Sequence, residues 1–381
     1  MNNACHFRLD KLSVKMHLLA WYDFVYTQDL YELSDVNGDA QRVFGMQIWQ
    51  KIVIVAVLAT VVVVAGTMVY FTYFAKRRLI ISTTTSLYDT GLLDEIERSY
   101  EATHSVDINV ISAGTGIAIQ HAENGDADVI LVHAPSVEKT FLEEGYGLNR
   151  KVIAYNFFTI VGPSDDPAEI EGKTAKDALK TIFAYGESLA DQSGQTKIWV
   201  SRGDKSGTHT KEQSLWKAAG YNYTLISAEP WYASVGSGMG DTLNVADQKS
   251  AYTLADIGTY LKFSKDGTIS LVALITQEES LLNVYSAMAV NRTVPANQTL
   301  HEQINYADAM DFIKYLVSNE TQQFIEDYGK TTYGQSLFYP AVQPLKNDAP
   351  QPVVGWIKTA AFFEGSECPP QYRSDYPELY T

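Results

Sequence analysis

Residues 52–74 form an apolar run, IVIVAVLATVVVVAGTMVYFTYF, that contains no charged side chain. At about 1.5 Å of rise per residue, a helix of this length spans the roughly 30 Å hydrocarbon core of a bilayer. A helix in the core of a globular domain usually keeps a polar stripe over such a length. The run therefore predicts a membrane helix within residues 46–75, followed by a large C-terminal part.

The flanks of this run bear on cleavage and orientation. No clear small-residue cleavage site follows it, which favours an uncleaved N-terminal anchor over a removed signal. Lys76, Arg77 and Arg78 follow the run, whereas Lys51 precedes it, and this bias would place the C-terminal part in the cytoplasm. Large domains can translocate despite such charges. The binding motifs described below favour the extracytoplasmic side.

The leader, residues 1–45, differs from the rest of the chain. Its segment WYDFVYTQDLYELSDVNGDA is acidic and aromatic and has no clear amphipathic period. Met46 opens MQIWQK, which has the composition of a short n-region before the apolar run. Two interpretations stay open: translation begins at Met46, or the leader is a small cytoplasmic extension.

The composition limits what the C-terminal part can bind. The chain of 381 residues is 46% hydrophobic and 19% charged, as in globular proteins, and its formal net charge is −16. Nucleic-acid binding needs a basic face, so this charge argues against nucleic acid as a partner. Cys5 and Cys368 lie at opposite ends of the chain and offer neither a disulfide framework nor a thiolate cluster. We therefore expect no metal site and no cofactor.

From Leu79 onward, short apolar runs alternate with amphipathic stretches. LIISTTTS (79–86), VDINVIS (106–112) and ADVILVHA (127–134) have the pattern of strands, and the stretches between them have helical spacing. Strands that alternate with helices in this way form βαβ units around a parallel sheet. The C-terminal part is therefore predicted to be α/β. Its Pro-rich end, residues 346–381, is expected to be a loosely structured tail.

Three strand ends carry small, hydroxyl-rich turns that lead into helices: the first turn is STTTS (82–86), the second SAGTG (112–116) and the third SRGDKSGT (201–208). In parallel α/β sheets, ligands bind beyond the carboxyl ends of the strands, where helix N-termini present unpaired N–H groups and a partial positive charge. Small residues let a ligand approach that backbone, and hydroxyls add donors. Together the turns would form a cage of donors around one anion.

Arg202 brings a fixed positive charge to the third turn. A guanidinium fork pairs well with a tetrahedral oxyanion, and Asp204 could hold that fork in place. Each feature alone has an ordinary alternative: an N-cap worth about 1 kcal/mol, or a surface ion pair worth about 0–1 kcal/mol. The coincidence of three turns with Arg202 favours an oxyanion site. His209 lies three residues after Ser206 with no third group evident, so we do not expect an enzyme.

Several separated motifs give the chain a family resemblance. In order, they are TTTSLYDTGLLDEI, GTGIAI, GDADVILVHAP, EEGYG with VGPSDDPA, SRGDKSGTHTKE, WYASVGSGMGDTL, AYTLADIGTYL and YGKTTYGQSLFYP. Over residues 80–345 the chain resembles the tungstate-binding receptors of tungstate-specific ABC transporters. The resemblance implies a type II periplasmic-binding-protein fold, in which two α/β lobes joined by two crossing strands close on the ligand.

The resemblance also implies lobe boundaries and site residues. FFTIVGP and NVYSAMAVN would be the crossing strands, so that lobe I comprises residues 79–160 and 284–345 and lobe II comprises residues 161–283. The family's oxyanion ligands would fall on Thr84, Thr85, Ser86, Thr115, Arg202, Ser206, Gly207 and Thr208. Asp204, Gly114 and Gly240 would support them.

The function implied is that of a receptor at the cell membrane, anchored by a single N-terminal span, with its binding domain on the extracytoplasmic side. It would bind tungstate, or molybdate, and deliver it to an ABC permease and its ATPase subunit. Tungstate is fully deprotonated near neutral pH and suits a cage of donors, whereas phosphate would demand an acceptor, and Asp204 is committed to Arg202. Two alternatives stay open: a receptor for molybdate, sulfate or phosphate, and a sensor domain on a membrane anchor.

Overall fold

The computed structural model describes residues 39–73, 76–190, 196–293 and 302–380. Most of the leader, residues 1–38, lies outside the described residues, so the two interpretations of it stay open. The chain divides into two compact units, Met1–Ala75 and Lys76–Thr381, which are described separately.

The first unit contains one long helix, α1 (Asp39–Tyr73). It includes the stretch Ile48–Met68, whose mean hydropathy is 2.4 and whose side chains are exposed. By length and composition this stretch could cross a membrane, as the apolar run predicts, although a signal sequence would meet the same criteria.

The strands of the second unit are β1 (Arg77–Thr84), β2 (Val106–Ala113), β3 (Val129–Val132), β4 (Gly147–Gly162), β5 (Trp199–Ser201), β6 (Tyr232–Ser234), β7 (Thr253–Asp256), β8 (Val272–Ile275), β9 (Leu282–Val290) and β10 (Tyr339–Pro340). Within the described residues, eight of them form a mixed sheet with the order β10-β4-β9-β3-β1-β2, in which β7 and β8 also pair with β4. A separate two-stranded sheet joins β5 and β6.

Helices follow most of the strands, as the alternating pattern predicts. In chain order they are α2 (Thr85–Tyr88), α3 (Leu92–Thr103), α4 (Thr115–Glu123), α5 (Pro135–Glu143), α6 (Ala175–Ala190), α7 (Gly207–Ala218), α8 (Tyr223–Ile226), α9 (Met239–Lys249), α10 (Ile257–Lys265), α11 (Tyr306–Leu316), α12 (Asn319–Asp327), α13 (Lys330–Tyr333), α14 (Val342–Asn347) and α15 (Val353–Ala361). Short 3-10 turns lie at Glu279–Leu281, Pro370–Tyr372 and Pro377–Tyr380.

The first three strands run parallel. β1 pairs with β2 on one side and with β3 on the other, in the register Thr84↔Ala113 and Thr83↔Leu131. Helices α3 and α4 make the crossovers, and their apolar faces are buried against the sheet. Because the strands are parallel, their carboxyl ends lie at one edge of the sheet.

The long strand β4 has different partners along its length. Near its start it pairs with β9, as in Gly147↔Val290, and near its end it pairs with β7 and β8, as in Phe158↔Asp256. It is almost entirely buried, so its apolar residues do not alternate with exposed polar ones. β4 and β9 thus connect the β1–β3 sheet with the β7–β8 strands, and the boundaries between the lobes stay a prediction.

The C-terminal residues 346–381 differ from the loosely structured tail that their Pro-rich composition predicts. They include α15, whose face with Ile357 is buried in the core. Two buried cations of β4 explain why these residues are folded, because each cation needs acceptors. Arg150 Nη1 donates to the carbonyl oxygens of Ala361 and Glu367 at 2.8 and 2.7 Å, and Lys151 Nζ lies 2.6 Å from Glu367 Oε1. The tail is therefore part of the folded unit.

Candidate oxyanion-binding site

The first and second turns lie side by side at the carboxyl edge of the parallel strands. Thr84 ends β1 and is in register with Ala113, which ends β2. Thr84 Oγ1 caps α2 by accepting from the Leu87 N–H at 3.4 Å, and α4 begins at Thr115. The parallel pairing thus brings together two segments that are far apart in the sequence.

The first turn is separated from α3, the longer helix that begins at Leu92. The four-residue helix α2 lies between them, and the two helices are separated at Gly91, whose φ of 77° is in the left-handed region. Thr84 and Ser86 are buried at 3% and 5% exposure.

Arg202 joins the first and third turns. Its guanidinium Nη2 donates to Thr85 Oγ1 at 3.1 Å, and its Nε donates to Asp204 Oδ2 at 2.8 Å. The other carboxylate oxygen of Asp204 accepts from the Ser206 N–H at 3.0 Å. Asp204 therefore holds both the guanidinium and the turn that precedes α7, and it also compensates the buried charge of Arg202.

The third turn presents a capped helix start. Helix α7 begins at Gly207, and the Ser206 hydroxyl accepts from the His209 N–H at 3.3 Å. Among the described residues, Thr115 Oγ1 and Thr208 Oγ1 belong to the few buried side-chain polar atoms without a hydrogen-bond partner. An unsatisfied buried hydroxyl costs about 1–3 kcal/mol. Both hydroxyls therefore suit a site that supplies them with an acceptor such as an anion.

His133 is a neighbour of the site that the sequence pattern did not single out. It directly follows β3, and its Nε2 lies 3.2 Å from Ser86 Oγ. A Cβ added to Gly207 would lie 2.6 Å from His133 Cε1, so the imidazole packs against the start of α7. Burial lowers the pKa of His133 to about 4, and the charge of Arg202 acts in the same direction. His133 is therefore neutral at pH 7 and contacts both the first turn and the third.

Comparison with known proteins identifies the family. A family model described as a PBP superfamily domain matches residues 65–320. The chain is 38% identical over 266 residues to the tungstate-binding protein TupA of Peptoclostridium acidaminophilum, which covers 70% of this chain and 86% of that protein. This chain belongs to the TupA family of tungstate-binding proteins.

Two solved structures agree with the TupA assignment. The tungstate-binding protein TupA from Desulfovibrio alaskensis G20 superposes with a TM-score of 0.59 at 37% identity, over 69% of this chain and 98% of that chain. A tungstate ABC transporter protein from Geobacter sulfurreducens gives a TM-score of 0.55 at 42% identity, over 66% and 98%. The predicted α/β periplasmic-binding-protein fold and the predicted family are thereby confirmed.

The two supporting glycines of this TupA-family chain have different surroundings. A Cβ added to Gly114 would meet nothing within 4 Å, so the backbone at the start of α4 is open to approach. A Cβ added to Gly240 would lie 2.6 Å from Phe263 Cζ of α10. Gly240 thus permits close packing of α9 on α10, which explains a small residue there without a ligand. The ligand roles of the predicted residues stay a prediction.

Proposed function

We propose that this chain is a receptor that binds tungstate between its two lobes and delivers it to an ABC permease that works with an ATPase subunit. The tungstate-binding names of its relatives support the ligand. The observation that carries the proposal for this chain is that the buried hydroxyls of Thr115, on the second turn, and Thr208, on the third, have no partner among the described residues. Arg202, which belongs to the third turn, donates to Thr85 of the first.

In the proposed mechanism, the first and second turns belong to lobe I, and Arg202 with the Ser206–Thr208 helix start belongs to lobe II. The anion binds to the donors of lobe I, and lobe II closes over it. Each charge-assisted hydrogen bond contributes about 1.5–3 kcal/mol, so that about six or seven would support nanomolar affinity after the costs of closure and desolvation. His133 contributes no charge near neutral pH, which leaves Arg202 as the cation of the cage.

We also propose that α1 tethers the receptor to the membrane, with the binding domain on the extracytoplasmic side, and that the chain is not an enzyme. The apolar stretch Ile48–Met68 supports the tether. The assignment as a binding protein rests on the relatives, whose names describe tungstate-binding proteins.

Isothermal calorimetry on the full chain in detergent, with tungstate, molybdate and sulfate, tests the proposal. We expect tight tungstate binding and a loss of roughly 10- to 150-fold in affinity for Arg202→Gln, equivalent to about 1.5–3 kcal/mol. Arg98→Gln is the matched control, because the Arg98 side chain is 68% exposed and, within the part of the chain that the structure describes, bonds to neighbours on its own helix. The proposal is wrong if tungstate does not bind, or if Arg202→Gln binds it as well as the unmodified chain.

A further inference from the structure

Asp256, at the end of β7, has one carboxylate oxygen that no described residue uses. Its Oδ1 caps α10 by accepting from the Thr259 N–H at 2.9 Å and from Thr259 Oγ1 at 3.0 Å. The residue is only 2% exposed, and among the described residues its Oδ2 has no hydrogen-bond partner. A helix cap needs one oxygen, so the cap does not explain the burial of the second.

The position of Asp256 relates it to the candidate site. It is in register with Phe158 of β4, whose ring lies 6.4 Å from that of His133. Next to it, a Cβ added to Gly258 would lie 2.8 Å from Thr90 Cγ2, so the start of α10 packs on the chain directly after α2. Asp256 therefore lies where the β7–α10 connection contacts the segment that follows the first turn.

The charges around Asp256 come from several elements. Burial raises its pKa, the positive charge of Arg202 lowers it, and the negative charge of Asp89 raises it. Tyr285 of β9 also faces Asp256, and its own pKa is raised mainly by burial and further by that carboxylate. Asp89 is exposed. Desolvation raises its pKa, and the positive charges of Arg202 and Lys262 partly offset that rise.

Arg202 alone cannot neutralise the negative charges of Asp204, Asp256 and a bound dianion together. It already pairs with Asp204 at 2.8 Å. A dianion in the cage beside an ionised Asp256 would place like charges in a buried region, which favours protonation of the carboxylate. A neutral carboxylic acid, by contrast, carries an O–H and becomes a donor.

We propose that Asp256 is a proton-linked member of the oxyanion site, and that tungstate binds together with one proton, which Oδ2 takes from the solvent. The inference rests on the proposed function and deepens it. The carboxylate, one proton and the tungstate dianion combine into a carboxylic acid beside a bound dianion, and no other bond forms or breaks. Asp256 thus completes a cage of donors for a fully deprotonated oxyanion. Hydrogen phosphate, which brings its own proton, would instead use the ionised Asp256 as an acceptor.

Calorimetry on the full chain in detergent tests this, with tungstate titrated in Tris and in HEPES at pH 7, 8 and 9. The two buffers differ in ionisation enthalpy, so the difference between the observed heats gives the number of protons taken up. We expect uptake that approaches one proton per tungstate within this range, and a Kd that weakens by up to about tenfold per pH unit. Asp256→Asn should show no proton uptake and a Kd that stays constant with pH, because an amide does not titrate in this range. The variant should fold, since asparagine keeps the oxygen that caps α10.

Asp177→Asn is the matched control. Asp177 also lies in the first turn of a helix and accepts from a threonine hydroxyl, at 3.0 Å from Thr174, but its side chain is 57% exposed. It should keep the proton uptake of the unmodified chain. Tungstate binding without uptake overturns this inference and leaves the proposed function intact, whereas absence of binding overturns both. Uptake that persists in Asp256→Asn also overturns it. The two-buffer result on the unmodified chain stands even if a variant does not fold.

Discussion

At the level of single residues, two buried hydroxyls distinguish the candidate site from an ordinary protein core. Thr115 is 6% and Thr208 is 2% exposed, and neither side-chain oxygen has a partner among the described residues. In a purely structural role, a valine of nearly the same shape would avoid the cost of burying an unpaired hydroxyl. Threonine at these positions therefore makes sense when an acceptor is bound.

We expect Thr208→Val to change stability and affinity in opposite directions. Without ligand, the free energy of unfolding should stay the same or rise by about 1 kcal/mol, because a buried unpaired hydroxyl is removed. The affinity for tungstate should fall by about tenfold, or about 1.4 kcal/mol, because a donor is lost. Chemical denaturation and calorimetry measure the two quantities.

Thr181→Val is the control for this substitution, since the Thr181 hydroxyl donates to the Asp177 carbonyl oxygen on the surface of α6. It should leave tungstate affinity unchanged. A Thr208→Val variant that is destabilised and binds tungstate normally would show that the hydroxyl has a structural role.

At the level of elements, α7 connects the candidate site with both crossing strands. Its first residues belong to the third turn, and one turn later Lys211 Nζ donates to the Leu282 carbonyl oxygen of β9 at 3.1 Å. The same ammonium lies 6.0 Å from the centre of the Phe158 ring of β4. Burial lowers the pKa of Lys211 to about 8, and the charge of Glu278 opposes the shift. A movement of the crossing strands would therefore act directly on the helix that carries the third turn.

The lowered pKa of Lys211 predicts a pH dependence of stability. Between pH 8 and the ordinary lysine pKa, the unfolded chain binds a proton that the folded chain does not, so stability should rise with pH. We expect the unmodified chain to gain up to about 3 kcal/mol relative to Lys211→Met between pH 7.5 and 10. Urea denaturation at several pH values measures this difference. Lys217→Met on the exposed side of α7 is the control, and parallel curves for the unmodified chain and Lys211→Met would contradict the prediction.

At the level of the whole second unit, the C-terminal residues close the fold. Glu367 binds Lys151 Nζ through Oε1 and accepts from the Val152 N–H at 3.0 Å through Oε2, both on β4. Arg150, which is fully buried, pairs with Glu138 at 2.7 Å and stacks on Phe363 at 4.5 Å. Since β4 also pairs with β7, β8 and β9, this segment braces the strand on which most of the sheet depends.

Glu367→Gln should therefore destabilise the protein strongly. It leaves the Lys151 ammonium buried without its anionic partner, which typically costs about 3–5 kcal/mol. Chemical denaturation measures the loss. Glu326→Gln is the control. The Glu326 side chain, which pairs with Lys330, is 45% exposed, so its substitution should lower the free energy of unfolding by at most about 1 kcal/mol. Equal effects of the two substitutions would mean that the tail contributes little to the stability of β4.

The features that the sequence by itself determined are those encoded within a few neighbouring residues. The apolar run of α1, the alternation of strands and helices, and the pairing of Arg202 with Asp204 two residues on all follow from local spacing. The proximity of the first and second turns is likewise predictable, because a βαβ unit places the ends of its two parallel strands at one edge of the sheet.

Only the tertiary structure decided the features that depend on partners far along the chain. His133 touches Ser86 and Gly207, Asp256 lies beside β4 with one oxygen that pairs with no described residue, and Glu367 reaches Lys151 across more than half of the chain. Burial and distant charges decide whether a histidine is neutral, whether a carboxylate oxygen is unpaired and whether a Pro-rich tail is ordered. Local spacing does not carry that information, because desolvation is a property of the packed fold.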